Sequence, residues 1–210
     1  VEMLVAECYF HLGNFAEAAR LYDKFVKDYP EAVELVEARF RLGDSQLKQG
    51  QLAEARRTWQ DLLAAHADNK SPRIAEATFN LSLTYQMPNP PSDEDLGLGM
   101  AALDAFVKEF ADHKLASLAH LRIAQAYVNR GRPEEAAKRL TAYLADARYA
   151  EREETPDARS LLGQSYLLQK KFAEAIAAWR DYLTKHPTHS AWSSVQQAIV
   201  DSQFSRAVDQ

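Results

Sequence analysis

Residues 162–179 read LGQSYLLQKKFAEAIAAW, and this stretch contains two short patterns separated by a turn. Before the turn, the large Leu162 and the small Gly163 are followed three positions later by Tyr166. After the turn, the small Ala175 is followed four positions later by Trp179. Spacings of three and four place residues on one side of a helix, so the stretch predicts two helices joined by a tight turn.

Both patterns recur along the whole chain. The first precedes four other turns, at Val5, Ala6 and Tyr9; Leu42, Gly43 and Gln46; Leu81, Ser82 and Tyr85; and Ile123, Ala124 and Tyr127. The second follows them, at Ala18 and Tyr22; Ala55 and Trp59; Gly99 and Leu103; and Ala136 and Leu140. The last residue of the first pattern recurs at intervals of 37, 39, 42 and 39 residues, so the chain contains an internal repeat.

The repeat predicts an all-α fold of stacked helix pairs, because neither helix of a pair can bury its apolar side alone. A small residue lets two helix backbones approach, and the aromatic residue fills the gap between neighbouring pairs. We expect one domain over residues 1–210, with pairs at 1–33, 34–70, 72–114, 115–154 and 155–188 and a single helix at 190–207. A proline-rich insertion at residues 87–96 enlarges the third turn; it is a candidate binding loop, although a plain surface loop is the favoured interpretation.

Three helix starts carry capping signals. Ser71 and Thr155 each precede a proline, which predicts an N-cap followed by proline at the first helical position. Ser190 is the predicted N-cap of the final helix.

These patterns resemble the tetratricopeptide repeat, with large, small and Tyr on the first helix, Gly at the turn, Ala and an aromatic on the second helix, and a closing proline, here Pro30 and Pro187. The resemblance covers essentially the whole chain and implies a right-handed α-solenoid of about five helix pairs plus a C-terminal helix. Gln46 for Tyr, Gly99 for Ala and three missing closing prolines depart from the family pattern.

The repeat spacing is longer than the usual length of about 34 residues. In this respect the chain resembles repeats of bacterial cell-envelope proteins, such as the outer-membrane assembly lipoprotein and the Tol–Pal-associated periplasmic protein. Its final unit is also similar to repeat regions of bacterial alpha-2-macroglobulin-like proteins.

Composition argues against several classes of function. A net charge of -5 without a basic stripe argues against nucleic-acid binding. The sequence also lacks an apolar run of about 20 residues, so we expect no direct membrane insertion. No catalytic or phosphate-binding motif occurs, and Pro187 interrupts the helix between His186 and His189, so we expect no enzyme activity, no cofactor and no metal. The lone Cys8 is interpreted as a small buried apolar residue.

The resemblance implies that first-helix residues line a concave groove that binds a protein or peptide. Register gives the candidate partner-binding residues Phe10, His11, Phe40, Asp44, Lys48, Phe79, Leu83, Leu121, Gln125 and Gln164. This set lacks clustered Lys and Arg, so we expect no clamp for a peptide carboxylate and a preference for an apolar or mildly basic segment. The alternative for Phe40, Leu121 and Leu167 is packing against adjacent helices.

The expected function is therefore a protein–protein interaction scaffold, part of a larger bacterial envelope protein and located in the periplasm. Alternatives are an accessory module attached to an enzyme or macroglobulin-like protease inhibitor, a homo-oligomeric spacer, and a cytoplasmic location. The first residues, Val1, Glu2, Met3 and Leu4, are typical of a cut inside a larger protein or of a processed start.

Overall fold

The computed structural model describes residues 1–66 and 71–208, and over these residues the chain is built from α-helices and two short 3₁₀ helices. The α-helices are α1 Glu2–His11, α2 Phe15–Asp28, α3 Leu35–Lys48, α4 Leu52–Ala65, α5 Pro72–Leu81, α6 Asp93–Glu109, α7 Ala116–Asn129, α8 Pro133–Ala145, α9 Thr155–Leu168, α10 Phe172–Lys185 and α11 Trp192–Val208. The 3₁₀ helices are Ser82–Tyr85 and Ala147–Tyr149. The predicted all-α repeat fold of five pairs and a final helix is confirmed for the described residues.

The chain divides into two compact units, residues 1–110 and residues 111–210. Unit 1 holds the pairs α1–α2, α3–α4 and α5–α6, and unit 2 holds α7–α8, α9–α10 and the unpaired α11. Within each unit, the first helix of a pair packs on the second helix of the pair before it. The expectation of a single domain stays a prediction, and the predicted end of the second repeat at residue 70 lies outside the described residues.

Four turns share one geometry. Gly13, Gly50 and Gly131 have φ values of 76°, 76° and 68°, and Lys170 takes the same left-handed conformation with φ 59°. The amide that follows donates back to the carbonyl at the Tyr position of the preceding helix, as from Lys171 to Tyr166 at 3.0 Å. This closure satisfies carbonyls at the helix end, and glycine suits it because a side chain is strained at positive φ.

The core of the second pair is built around a buried tryptophan that packs against a glycine. Trp59 is fully buried against Gly43, and its Nε1 donates to the Phe40 carbonyl at 3.2 Å. Ala55, Leu62, Ile74 and other apolar side chains surround the indole. Since fully burying a large aromatic side chain is worth several kcal/mol, about 3–5 for truncation to Ala, this contact fixes the pair.

The third pair departs from the expected helix. Its first helix, α5, ends at Leu81, and the segment to Tyr85 is a 3₁₀ helix. Arg56 holds this segment by donating to the Thr84 carbonyl at 2.7 Å, with its guanidinium 4.0 Å from the Tyr85 ring centroid. In the insertion, Met87 and Pro90 are buried, so the segment is largely packed into unit 1 rather than projecting as a loop.

One predicted N-cap is confirmed and two are wrong. The Ser71 side chain accepts from the Arg73 amide at 3.3 Å, with Pro72 at the first helical position. Thr155 is instead the first residue of α9, because its hydroxyl is engaged in a buried network, where it donates to the Tyr149 carbonyl at 2.6 Å and lies 3.1 Å from the Tyr143 hydroxyl.

The final helix starts two residues later than predicted. α11 begins at Trp192, whose amide donates to the His189 carbonyl, so Ser190 lies in the preceding turn. Val195 and Ile199 are buried against the second helix of the fifth pair, α10. α11 therefore takes the place of a first helix.

Cys8 is exposed, which corrects the expectation that it is buried. No helix among the described residues is long and apolar enough to cross a membrane.

Candidate functional site

The structure separates the predicted partner-binding residues by burial. Phe40 and Phe79 are 4% and 3% exposed, so the alternative interpretation of Phe40 as a packing residue is confirmed and Phe79 is also a packing residue. Phe10, Asp44, Leu83, Leu121 and Gln125 are partly buried, whereas His11, Lys48 and Gln164 are exposed. Contact of any of them with a partner stays a prediction.

In unit 1, the first helices bring an aromatic residue and cations together. The Arg41 guanidinium lies 5.1 Å from the Phe10 ring centroid, and the Lys48 ammonium lies 5.9 Å from it. Phe15, at the start of α2, packs edge-on against Phe10 with centroids 5.4 Å apart. A cation over an aromatic face contributes roughly 0.5–2 kcal/mol, so the side chains of Phe10, Arg41 and Lys48 hold one another in place.

A network of ion pairs extends from this cluster across α3 to α5. Glu37 accepts from Arg41 at 2.9 Å and from Arg73 at 2.6 Å, and Arg73 also pairs with Glu76. The Arg73 guanidinium lies 4.8 Å from the ring centroid of the buried Phe40. Glu37 thus fixes both arginines, whose guanidinium groups lie over the Phe10 and Phe40 rings.

Asp44 is the most desolvated carboxylate of this surface. Its side chain is 18% exposed, its nearest cation is the Lys48 ammonium at 4.0 Å, and within the described residues no donor makes a hydrogen bond to it. Burial raises the pKa of Asp44 above its usual value, although Lys48, Arg41 and Arg73 act in the opposite direction. A carboxylate held with incomplete hydrogen bonding is a typical feature of a binding surface.

We call the residues Phe10, Glu37, Arg41, Asp44, Lys48, Arg73 and Glu76 the unit 1 face. Register alone missed Arg41 and Arg73, and the expectation that this surface holds no clamp for a peptide carboxylate stays a prediction. The signal was present, since Glu37 and Arg41 have the i, i+4 spacing of a helical ion pair. Register could not show that Arg73, on another helix, reaches Glu37.

The candidate partner-binding residues on the first helices of unit 2 are neutral instead. Gln125 donates from Nε2 to the Asn129 side-chain oxygen at 2.9 Å, and Gln164 is exposed. Leu121 is partly buried. Amides both donate and accept, so this surface suits backbone groups rather than charges.

The unit 1 face offers fixed cations, an aromatic ring and one partly buried carboxylate, which together provide polar and apolar contacts for a bound segment. Within residues 1–66 and 71–208, no group of three or more His, Cys, Asp or Glu side chains is placed to hold a metal ion.

Two family profiles, both described as tetratricopeptide repeat, match the sequence. One matches residues 40–85 and 121–190, which is more than half of the chain, and the other matches residues 2–32. No protein with a curated description matches it.

Solved structures with the same fold are also found. TTC0263, a thermophilic TPR protein of Thermus thermophilus, is 22% identical over 97% of both chains, with a TM-score of 0.51. MamA is 19% identical over 89% of this chain and 90% of its own, with a TM-score of 0.67. YrrB, described as a TPR protein with an unusual peptide-binding site, is 16% identical over 93% and 90%, with a TM-score of 0.63. At these identities the likeness shows the fold alone.

Proposed function

Because the chain belongs to the tetratricopeptide repeat family, we propose that it is a protein–protein interaction scaffold whose unit 1 face binds a segment of a partner protein. Tetratricopeptide repeats generally mediate protein–protein interactions and are typically non-catalytic scaffolds. The same expectation holds for this chain, which is proposed to act without turnover, without a cofactor and without nucleic acid.

The observation that supports the unit 1 face most is the combination of ordered cations with a partly buried carboxylate. Glu37 holds Arg41 and Arg73 in place before any partner arrives, so binding costs little side-chain entropy. Asp44 lacks a hydrogen-bond donor within the described residues, and a partner amide or ammonium supplies one. The Phe10 ring gives an apolar contact beside both.

The partner segment is proposed to be apolar or mildly basic. An apolar side chain packs on Phe10, and a donor reaches Asp44, whereas the arginines are already neutralised by Glu37 and Glu76. The structural relative YrrB is a TPR protein with an unusual peptide-binding site, although its identity of 16% is too low to transfer any residue role to this chain.

The test is capture of partners from the organism of origin with the purified chain as bait. The double variant Asp44→Gln and Lys48→Leu introduces the residues found at the equivalent positions of α9, Gln164 and Leu168. We expect the captured proteins, quantified by mass spectrometry, to fall by about tenfold, equivalent to about 1.4 kcal/mol.

The matched control is Lys108→Leu, a lysine of α6 outside the unit 1 face, which should capture partners like the parent chain. Equal capture by the double variant and the parent chain contradicts a role for this face. Circular dichroism of each variant checks that the helices remain formed.

We further propose that the chain belongs to a larger bacterial envelope protein and is periplasmic. The support is the repeat spacing of 37–42 residues, which resembles that of envelope proteins. Cell fractionation tests this proposal, and a purely cytoplasmic signal contradicts it. The alternative is an accessory module of an enzyme or macroglobulin-like inhibitor, which the sequence of the full-length gene distinguishes.

A further inference from the structure

A groove on unit 2 lies apart from the first-helix surfaces. It runs along α8, where Ala137, Thr141, Ala142 and Ala145 present small side chains, and its far wall includes Tyr166 of α9. Its volume is about 540 Å³, within the range of roughly 300–1,000 Å³ that ligand sites occupy. We call it the α8 groove.

The equivalent positions of unit 1 are filled. Aligning the buried Ala136 with Ala18 places Thr141, Ala142 and Ala145 opposite Asp23, Lys24 and Lys27 of α2. There, Lys27 pairs with Asp23 at 2.6 Å, and Lys24 pairs with Asp28 at 3.0 Å. Thr141, Ala142 and Ala145 are shorter than these charged residues, so they leave this side of α8 more open than the same side of α2.

The residue at the far wall also differs between the two units. In unit 1 this wall residue is Gln46, whose side-chain oxygen accepts from the Thr58 hydroxyl at 2.8 Å. In unit 2 it is Tyr166, which is partly buried and whose hydroxyl makes no hydrogen bond within the described residues. An aromatic ring with a polar tip offers apolar contact and one hydrogen bond to an occupant.

Lysines stand on both walls of the α8 groove. Lys138 on α8 makes no ion pair within the part of the chain that the structure describes, and the Lys171 ammonium donates only to the Gln169 side-chain oxygen, at 2.7 Å. Glu134 is the single carboxylate of the lining, at the start of α8. The charge of the rim is therefore positive overall, in a chain whose net charge is -5.

We propose that the α8 groove docks a partner segment that carries a bulky apolar side chain flanked by carboxylates. The apolar side chain occupies the space over Ala137 and Ala142 and packs on the Tyr166 ring. The carboxylates pair with Lys138 and Lys171, whose charges have no carboxylate partner in the described structure. This site is independent of the unit 1 face and takes a segment of the opposite charge.

The test is an NMR titration of the ¹⁵N-labelled chain with two end-blocked peptides, acetyl-Glu-Leu-Phe-Glu-amide and acetyl-Lys-Leu-Phe-Lys-amide. The acidic peptide should shift amide signals of α8 and of residues 166–171 and should bind at least about tenfold more tightly than the basic one. Its affinity should fall as salt is raised from about 50 to about 500 mM, because exposed charges are screened.

Two variants sharpen the result. Ala142→Trp fills the groove and should weaken the acidic peptide by about tenfold or more. Ala105→Trp, the same change at an exposed alanine of α6, should not weaken it. The proposal is overturned if α8 signals do not shift, if the basic peptide binds equally, or if Ala142→Trp binds like the parent chain. Lys48→Leu, which alters only the unit 1 face, should leave this titration unchanged. The proposal for the α8 groove and the proposal for the unit 1 face can therefore be refuted independently of each other.

Discussion

The second helix pair, α3–α4, and the fifth, α9–α10, lie 120 residues apart in sequence and share their packing in detail. Trp59 and Trp179 both cover a glycine, and each Nε1 donates to the carbonyl three residues before that glycine, at 3.2 Å and 3.0 Å. Gln49 and Gln169 each donate to a carbonyl near the start of the preceding second helix, both at 3.1 Å.

The outward side of the two first helices is different. Where α3 carries Asp44 and Lys48, α9 carries Gln164 and Leu168, whereas the equivalent of Arg41 is the buried Leu161. The contrast teaches that the repeat constrains the residues that helices share and leaves the solvent side free. Differences between pairs on that side therefore report on binding, and differences at the shared positions report on stability.

The largest expected effect is a break of the shared packing. In Gly163→Ala and Gly43→Ala, the added Cβ overlaps the indole of the covering tryptophan. We expect each to lower the free energy of unfolding by about 2–4 kcal/mol, through overpacking and a weakened indole hydrogen bond. Urea denaturation measures it.

The control for this break is Gly97→Ala in α6. No atom lies within 4 Å of the added Cβ there, and Ala is the better helix former by about 1 kcal/mol. We expect Gly97→Ala to be as stable as the parent chain or more stable. A similar loss in all three variants would show that the tryptophan contact is not the cause.

A smaller effect is expected at the turns, where the second pair has Gly50 and the fifth has Lys170. Both residues have positive φ, which is unfavourable for lysine. Lys170→Gly should raise the free energy of unfolding by about 1 kcal/mol, and Gly50→Lys should lower it by about the same amount. Thermal unfolding of both variants checks the opposite signs, and equal signs would contradict the turn argument.

A still smaller effect is expected at Asp44, whose equivalent in the fifth pair is Gln164. Burial raises the pKa of Asp44, so the folded chain favours the neutral carboxyl, and the stability this gives is present at low pH and lost as the pH rises through the folded pKa. Asp44→Gln should therefore stabilise the chain at about pH 7 and gain less at about pH 3. Urea denaturation at both pH values tests this, and a gain that does not change with pH would refute it.

The smallest effect belongs to His186, at the end of α10. Burial, with Arg159 nearby, lowers the pKa of His186, so protonation favours the unfolded chain. Stability should be unaffected above about pH 6.5, the pKa of the unfolded state, and should fall as the pH drops below it. Comparing melting temperatures of the parent chain and His186→Gln between about pH 7.5 and pH 5 isolates this contribution. A parent chain that loses no more stability than the variant would disprove it.

Much of the fold was predictable because stacking repeats the same contacts. Spacing identified the small residues Gly43 and Gly163 and placed the aromatic residue between neighbouring pairs, whereas only the structure shows that Trp59 and Trp179 also cover the glycine of their own pair. The turns at Gly13, Gly50 and Gly131 were readable because the closure requires positive φ. The 3₁₀ segment after Leu81 was not, because Arg56 on another helix fixes it.

The candidate surfaces were less predictable. Phe10, Asp44 and Lys48 were found by register, whereas Arg41 and Arg73 were missed because their roles depend on Glu37, which joins two helices. Phe40 was placed on the surface by register and is covered in the fold by Trp59 and Arg73. No sequence motif marks the α8 groove, since it arises from small residues at positions where other helices carry long side chains.

The sequence by itself determined the repeat, the helix pairs and the turns, because these depend on spacings of three and four residues and on backbone conformation. Only the tertiary structure decided which charges meet across helices, which aromatic rings are covered, where a hydroxyl such as that of Thr155 is already engaged, and where space is left open. These depend on side chains distant in sequence, and no local period encodes their distances.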